Sequence, residues 1–364
     1  MSLAPVAAPR VVFGMTLHNN ARHLPEAAAS ILDQHRRDFV LLMLDDGSTD
    51  DTPQVARAIA DADPRVRYIR RETRQGMIAT WHEVAATAAR EYPSAPYFAW
   101  ASDHDRWAPR WLDMLIPVLD TDPAAVLVYP ATLRIDDAGE LGDKEPRVFD
   151  TAGVSDPAER WRRFCWSGTG SGDMVYGLIR TAALLKAGIF RPVLNPDRLL
   201  VAELCLQGTI RQVETPLWFR RQAGIASIAR QRHTLFADAP PAGFWMPPAF
   251  QHARSVWREY RTPAPPVRLG TLTLASMVLL YPLSSAWRAW RKTAVSKSAG
   301  RGVDNLHWVK KVARKGVHHA VYYTLVGARA LRGRLRRLGR RAVYQAAILT
   351  HRAGLRGSRG PRIP

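Results

Sequence analysis

Residues 39–52 read FVLLMLDDGSTDDT. The first six form an unbroken apolar run of strand length, the pattern of a central strand covered on both faces, and the run stops at Asp45. The eight that follow are turn formers and helix-capping residues, so a helix is expected from Thr52, with Val55, Ala56 and Ile59 available to one face. A buried strand that ends in acids and feeds a helix is half of a βαβ unit.

The same alternation extends on both sides. VVFGMT at 11–16 predicts a strand that runs into the polar loop His18-Asn19-Asn20, and a helix is expected from Leu24 to Gln34 with Pro25 in its first turn. A short strand at Val66–Ile69, a helix at 76–89 and a strand at Tyr97–Ala101, ending on Ser102-Asp103, complete the regular part. Beyond it the pattern loosens. Strands are expected at Val126–Tyr129, Met174–Ile179 and Ile210–Val213, a strand end and turn at Ile135–Gly139, and helices at Thr181–Ala187 and Leu199–Leu206. The expected class is α/β with a mostly parallel sheet. Ligands of such sheets bind beyond the carboxyl ends of the strands, and that rim receives Asp45, Asp46, Asp103 and Asp105.

Asp103-His104-Asp105 is a DxD arrangement, common when taken alone. On an extended strand end, residues two apart point to the same side, so both carboxylates can face one hard dication, Mn2+ or Mg2+, with His104 pointing away. Such an ion neutralises a leaving diphosphate. The ordinary reading of Asp45–Asp50 is a turn that caps the next helix. A second acid is left over, and Asp46 is suited to accept a hydrogen bond from a pyrimidine ring N–H, with Gly47 allowing close backbone approach.

In combination, LLMLDDGSTDDT, ETRQGMIATWHEVAATA and YFAWASDHDRWAPRWLDMLIPVL resemble the family 2 glycosyltransferases, which have the GT-A fold, over about residues 10–235. The resemblance implies a nucleoside-diphosphate sugar as donor. It implies Thr16 and His18 near the nucleoside, Asp46 on the base, and Arg74 near the base or the diphosphate. It also implies Asp103 on ribose and donor sugar, and Asp105 on the metal, with Asp103 beside it and His233 as an additional ligand. The family's usual Tyr before Asn in the first loop is replaced by His18. Inverting members carry a carboxylate general base about 90 residues beyond the DxD, commonly in a Glu-Asp pair. Here Pro196-Asp197 stands at that place, so Asp197 is the expected base and Glu203 a weaker candidate; the ordinary role of Asp197 would be helix N-capping. A loop bearing Arg230, Arg232 and His233 could close over the diphosphate. Trp161 and Trp166 could line an acceptor subsite or belong to the core.

Charge separates the chain into two parts. The last 101 residues hold 21 of the 52 Lys and Arg but only one of the 32 acids, Asp304, so the net +20 belongs to them and the first 263 residues balance. Such a block is drawn to anionic surfaces. Leu269–Leu283 is apolar but short for a membrane span and is interrupted by Pro282, and Trp287 and Trp290 follow beside cations, which predicts a re-entrant or interfacial helix. The expected layout is a tail at 1–9, a catalytic domain at 10–235, a Pro-rich connection at 236–268 and a basic helical region at 269–364 that meets an anionic membrane.

Two cysteines, Cys165 and Cys205, are too few for a disulfide framework, and the N-terminus lacks a basic start with an apolar core. The expected location is therefore the cytoplasmic face of the cell membrane, and the expected acceptor a glycan or lipid-linked hydroxyl. No zinc-finger spacing or recognition helix supports nucleic acid as a partner, and a homo-oligomer is left open. The competing classes are a sugar-phosphate nucleotidyltransferase, for which the first loop lacks a glycine-rich basic stretch, and an inactive membrane-associated binding or structural protein.

Overall fold

The computed structural model describes residues 8–142, 146–167, 170–221, 235–236 and 246–299, with side chains described as far as residue 287. The chain divides into two units, 1–282 and 283–364. Everything that bears on the site lies in the first.

Eight strands form one sheet. They are β1 (Val11–Leu17), β2 (Phe39–Asp45), β3 (Val66–Arg70), β4 (Tyr97–Ser102), β5 (Arg106–Trp107), β6 (Ala125–Ile135), β7 (Leu178–Arg180) and β8 (Thr209–Arg221), in the order β3-β2-β1-β4-β7-β6-β8-β5. The first four are mutually parallel, as the sequence predicts. The second half is mixed: β7 runs antiparallel to both β4 and β6, β8 parallel to β6, and β5 antiparallel to β8. The fold is α/β and GT-A-like, with a mixed central sheet flanked by helices.

The helices are α1 (Leu24–Leu32), α2 (Thr52–Ala62), α3 (Met77–Glu91), α4 (Trp111–Thr121), α5 (Pro157–Trp166), α6 (Ser171–Met174), α7 (Thr181–Lys186), α8 (Pro196–Gln207), α9 (Pro248–Tyr260) and α10 (Thr271–Ala299). Strand periodicity sorts the core into two layers. Phe39, Leu41 and Met43 of β2 pack with Leu24, Ile31, Leu112 and Leu115 of α1 and α4, whereas Leu42 and Leu44 pack with Ile78, Trp81 and Val84 of α3 and with α8. All seven positions of β2 are buried, which explains the absence of polar alternation in its sequence.

Four expectations are corrected. Val126–Tyr129 and Ile135 belong to one 11-residue strand, β6, and Ile210–Val213 is only the start of the 13-residue β8. Pro130 and Pro216 lie inside these strands; the β6–β8 register shifts at Pro130/Ala131, a local irregularity that accommodates proline without ending the ladder. Met174–Ile179 is not one strand: Met174 closes the short helix α6, and β7 begins at Leu178. Pro282 does not interrupt its helix, because the loss of one N–H is outweighed by the other backbone bonds of a 29-residue segment. Within 236–268, residues 248–260 form α9, where Gln251 accepts from the Leu194 backbone N–H at 3.0 Å and His252 lies 2.6 Å from the Leu194 carbonyl.

Candidate active site

The polar run after β2 is consumed mostly by local structure. Asp45 accepts from the Ser48 N–H (2.9 Å) and the Tyr68 hydroxyl (2.8 Å). Ser48, Thr52 and Asp50 in turn accept from the backbone N–H groups of Asn19, Asn20 and Ala21, pinning the loop after β1. Asp50 keeps a lowered pKa: its burial opposes ionisation, but the bonds from Thr52 and Ala21 outweigh it. DDGSTD thus builds the first loop as well as its own turn.

Asp46 is held differently. Its carboxylate accepts from the backbone N–H groups of Gln75 (2.8 Å) and Gly76 (2.9 Å) at the start of α3, and from Arg71 Nη1 at 3.1 Å. Arg71 also pairs with Glu83. Gly47, at φ 68°, brings the turn against this loop: a Cβ there would lie 2.9 Å from the Arg74 backbone nitrogen. Arg74 therefore rides, half-buried, on the segment that clamps Asp46. His18 joins the strands, its Nδ1 lying 3.1 Å from the Asp46 carbonyl and its backbone N–H donating to Asp103 Oδ2 at 3.4 Å. Thr16, half-buried on β1, stands in register with Leu44 and Ser102. The structure brings Thr16, His18, Asp46, Arg74, Asp103 and Asp105 to one rim.

The DxD geometry differs from expectation. β4 ends at Ser102, so Asp103-His104-Asp105 forms a turn, and the strand alternation that would send His104 away does not apply. His104 bridges both acids, with Nδ1 2.8 Å from Asp103 Oδ1 and Nε2 3.9 Å from Asp105 Oδ1. Burial lowers the pKa of His104, yet the bond to Asp103 and the charges of Asp105 and Asp103 leave it raised overall. Asp105 is 1% exposed and accepts from the Arg221 N–H at 2.8 Å. Its pKa is raised, by burial first, against the opposing His104 charge. Among the described residues no three His, Cys, Asp or Glu side chains gather as ligands for an ion. Mg2+ and Mn2+ need only one or two protein carboxylates when phosphates supply the rest. The buried, poorly compensated Asp105 beside Asp103 fits that limited donor set.

Asp197 lies in the first turn of α8 and accepts from the Ser171 hydroxyl at 2.6 Å. It is not the helix cap; Asn195 holds that position. Asp197 faces a pocket of about 310 Å³ lined by Trp81, Tyr176, Phe190, Asn195 and Arg220 among others. A wider cleft of about 900 Å³, lined by Gln75, His82 and Glu83 of the Asp46 side, shares Phe190 and Leu235 with it. Ile189, next to Phe190, adopts φ 57°, a costly conformation for a β-branched residue.

Three expected residues fall elsewhere. Glu203 is fully buried and bound through both oxygens to Arg191 Nε at 3.1 Å, outside the pocket. Trp161 is core, 1% exposed against Tyr281, and Trp166 packs half-buried on the same core. Arg230, Arg232 and His233 lie outside the described residues. The aromatic lining comes instead from Trp81, Tyr176 and Phe190, and a cation from Arg220. Tyr176 and Arg220 went unremarked in the sequence; extending β8 past Pro216 would have placed Trp218 and Arg220 on one strand face.

The fold is shared with S. aureus TarS 1–349 in complex with UDP-GlcNAc (TM-score 0.54, 13% identity, 75% of this chain and 71% of that one) and with S. aureus TarS (TM-score 0.51, 13% identity, 74% of this chain and 42% of that one). Residues 13–165 match the sequence family described as glycosyl transferase family 2, a match that contains β1, the DDGSTD turn, α3 and the DxD turn. Over that segment, less than half of the chain, it is homologous to glycosyl transferase family 2.

Proposed function

We propose that this protein is an inverting glycosyltransferase that moves a sugar from a nucleoside-diphosphate donor, a UDP-sugar by preference, to a hydroxyl of a glycan or lipid-linked acceptor. The observation that carries this reading is the joined run of His18, Asp46 and Asp103 on the rim of three parallel strands, next to a pocket whose acid is Asp197.

In this reading Asp46 accepts from the base, and Thr16 and His18 flank the nucleoside. Arg74 approaches the base or diphosphate, and Asp103 meets ribose and donor sugar. Asp105 and Asp103 hold Mn2+ or Mg2+, with His233 as an additional ligand; when bound, the ion neutralises charge on the leaving diphosphate. Asp197, oriented by Ser171, takes the proton of the acceptor hydroxyl as the oxygen attacks the anomeric carbon from the face opposite the diphosphate. The wider cleft would take the rest of the acceptor.

We also place the chain at the cytoplasmic face of an anionic membrane through residues 269–364. Among the described residues no helix is long and apolar enough to cross a bilayer. Leu272, Leu279 and Leu283, spaced for one face of α10, are 87%, 71% and 58% exposed. An apolar stripe continuous with a block of charge +20 suits an anionic lipid surface.

A panel of nucleotide sugars, assayed for release of nucleoside diphosphate with Mn2+, with Mg2+ and with EDTA, tests the catalytic reading. Metal-dependent consumption of at least one donor is expected. Consumption of none would overturn it.

A further inference from the structure

We infer that Tyr176 and Arg220 form a clamp for the sugar-bearing phosphate of the donor, which the sequence motifs do not reveal. This rests on the glycosyltransferase reading and adds two residues to it. The inference starts from polar hydrogens that the fold leaves free at one pocket.

Four arginines approach the acids of this region, and three are committed. Arg221 donates to the carbonyls of His104, Asp136 and Asp137 and pairs with Glu26. Arg106 donates to Glu26 and the Gly139 carbonyl, and Arg134 takes both oxygens of Asp173 at 2.6 and 2.9 Å. Arg220 shares Asp173 with Arg134, so one buried carboxylate serves two guanidinium groups and the trio keeps a net positive charge. Only Nη1 of Arg220 is engaged, by Asp173 Oδ1 at 3.0 Å and the Gly172 carbonyl at 3.2 Å. Among the described residues its Nε and Nη2 have no hydrogen-bond partner, and Arg220 lines the Asp197 pocket.

Tyr176 lies beside it. Its ring is wedged between Trp81 (5.3 Å, edge-on) and Trp218 (4.7 Å), with the Arg220 guanidinium 6.0 Å from its centroid. Tyr176 lines the same pocket as Arg220 and Asp197. Burial raises its pKa far above the ordinary phenol value, so the hydroxyl keeps its proton and remains a donor. Among the described residues that hydroxyl also has no partner.

An unpaired phenol O–H and two unused guanidinium nitrogens facing one partly enclosed pocket are complementary to an anionic oxygen. Between DxD and Asp197 that oxygen belongs to the phosphate bonded to the sugar. Gly172 allows the arrangement, because a Cβ there would lie 3.1 Å from Arg220 Nη1.

The test compares nucleoside diphosphates with monophosphates, using UDP, GDP, CDP and dTDP and the four matching monophosphates on the full chain by calorimetry. The wild type should bind one diphosphate at least tenfold more tightly than its monophosphate. Tyr176→Phe and Arg220→Gln should each weaken the diphosphate by roughly tenfold, the scale of one charge-assisted hydrogen bond, and leave the monophosphate unchanged. Tyr176→Phe removes only an unpartnered oxygen, so it serves where Arg220→Gln disturbs folding around Asp173. If the wild type binds a diphosphate and Tyr176→Phe binds it equally well, the clamp is wrong while the function stands. If the wild type binds none of the eight, the function itself fails and the clamp with it.

Discussion

The rim that carries Asp46 and Asp105 and the pocket that carries Asp197 hold their acids by opposite means. At the rim, acids are fixed by backbone: Asp46 by the N–H groups of Gln75 and Gly76, Asp105 by that of Arg221. In the pocket, polar groups are fixed by side chains and rings: Asp197 by Ser171, Arg220 by Asp173, Tyr176 by two tryptophans. Backbone clamps depend little on side-chain identity, whereas side-chain scaffolding changes with the sequence that builds it.

The contrast can be broken at its strongest point. Asp105→Ala is expected to lower metal-supported donor turnover on the order of a hundredfold or more, since an ion at a leaving diphosphate supplies several kcal/mol. A metal titration of turnover checks it. Asp46→Asn should act on both affinity and stability. An amide nitrogen placed against the Gln75 or Gly76 N–H leaves a buried donor unsatisfied, costing about 1–3 kcal/mol in denaturant unfolding. Nucleotide affinity should fall with it, and an unchanged unfolding midpoint would show that the backbone clamp is not formed.

The smallest effect is expected at Glu203, which belongs to neither region. Burial raises its pKa to about 7 against the pull of Arg191. The native chain then holds a proton that the unfolded chain, at the ordinary 4.5, has already lost. Stability from this group therefore falls as pH rises from about 4.5 to 7. Glu203→Gln should flatten that part of a pH series of unfolding midpoints while leaving transfer unchanged. Loss of transfer would return Glu203 to the reaction.

How much was legible follows from the same contrast. Local rules produced β1 to β4, the helices between them and the placement of Asp46 and Asp103, because each acid ends an apolar run. His104 was misplaced because the strand stops one residue before Asp103, and the geometry of a turn is not visible in residue alternation. The pocket was mostly illegible. Tyr176, Arg220 and Trp81 come from a loop, the end of β8 and the first half of α3, and only the tertiary fold makes them neighbours. For Trp161 the sequence left sugar platform and core equally open, and packing decides for the core.

The central claim is that the rim binds the donor while Asp197 acts on the acceptor. Its most direct test is Asp197→Asn, measured once for nucleoside-diphosphate affinity by calorimetry and once for sugar transfer to acceptor under single-turnover conditions. The account predicts unchanged affinity, with transfer lower by about 10²–10⁴-fold, the usual contribution of a general base. Transfer at the wild-type rate, or a loss of donor affinity that accounts for the whole decrease, would contradict it.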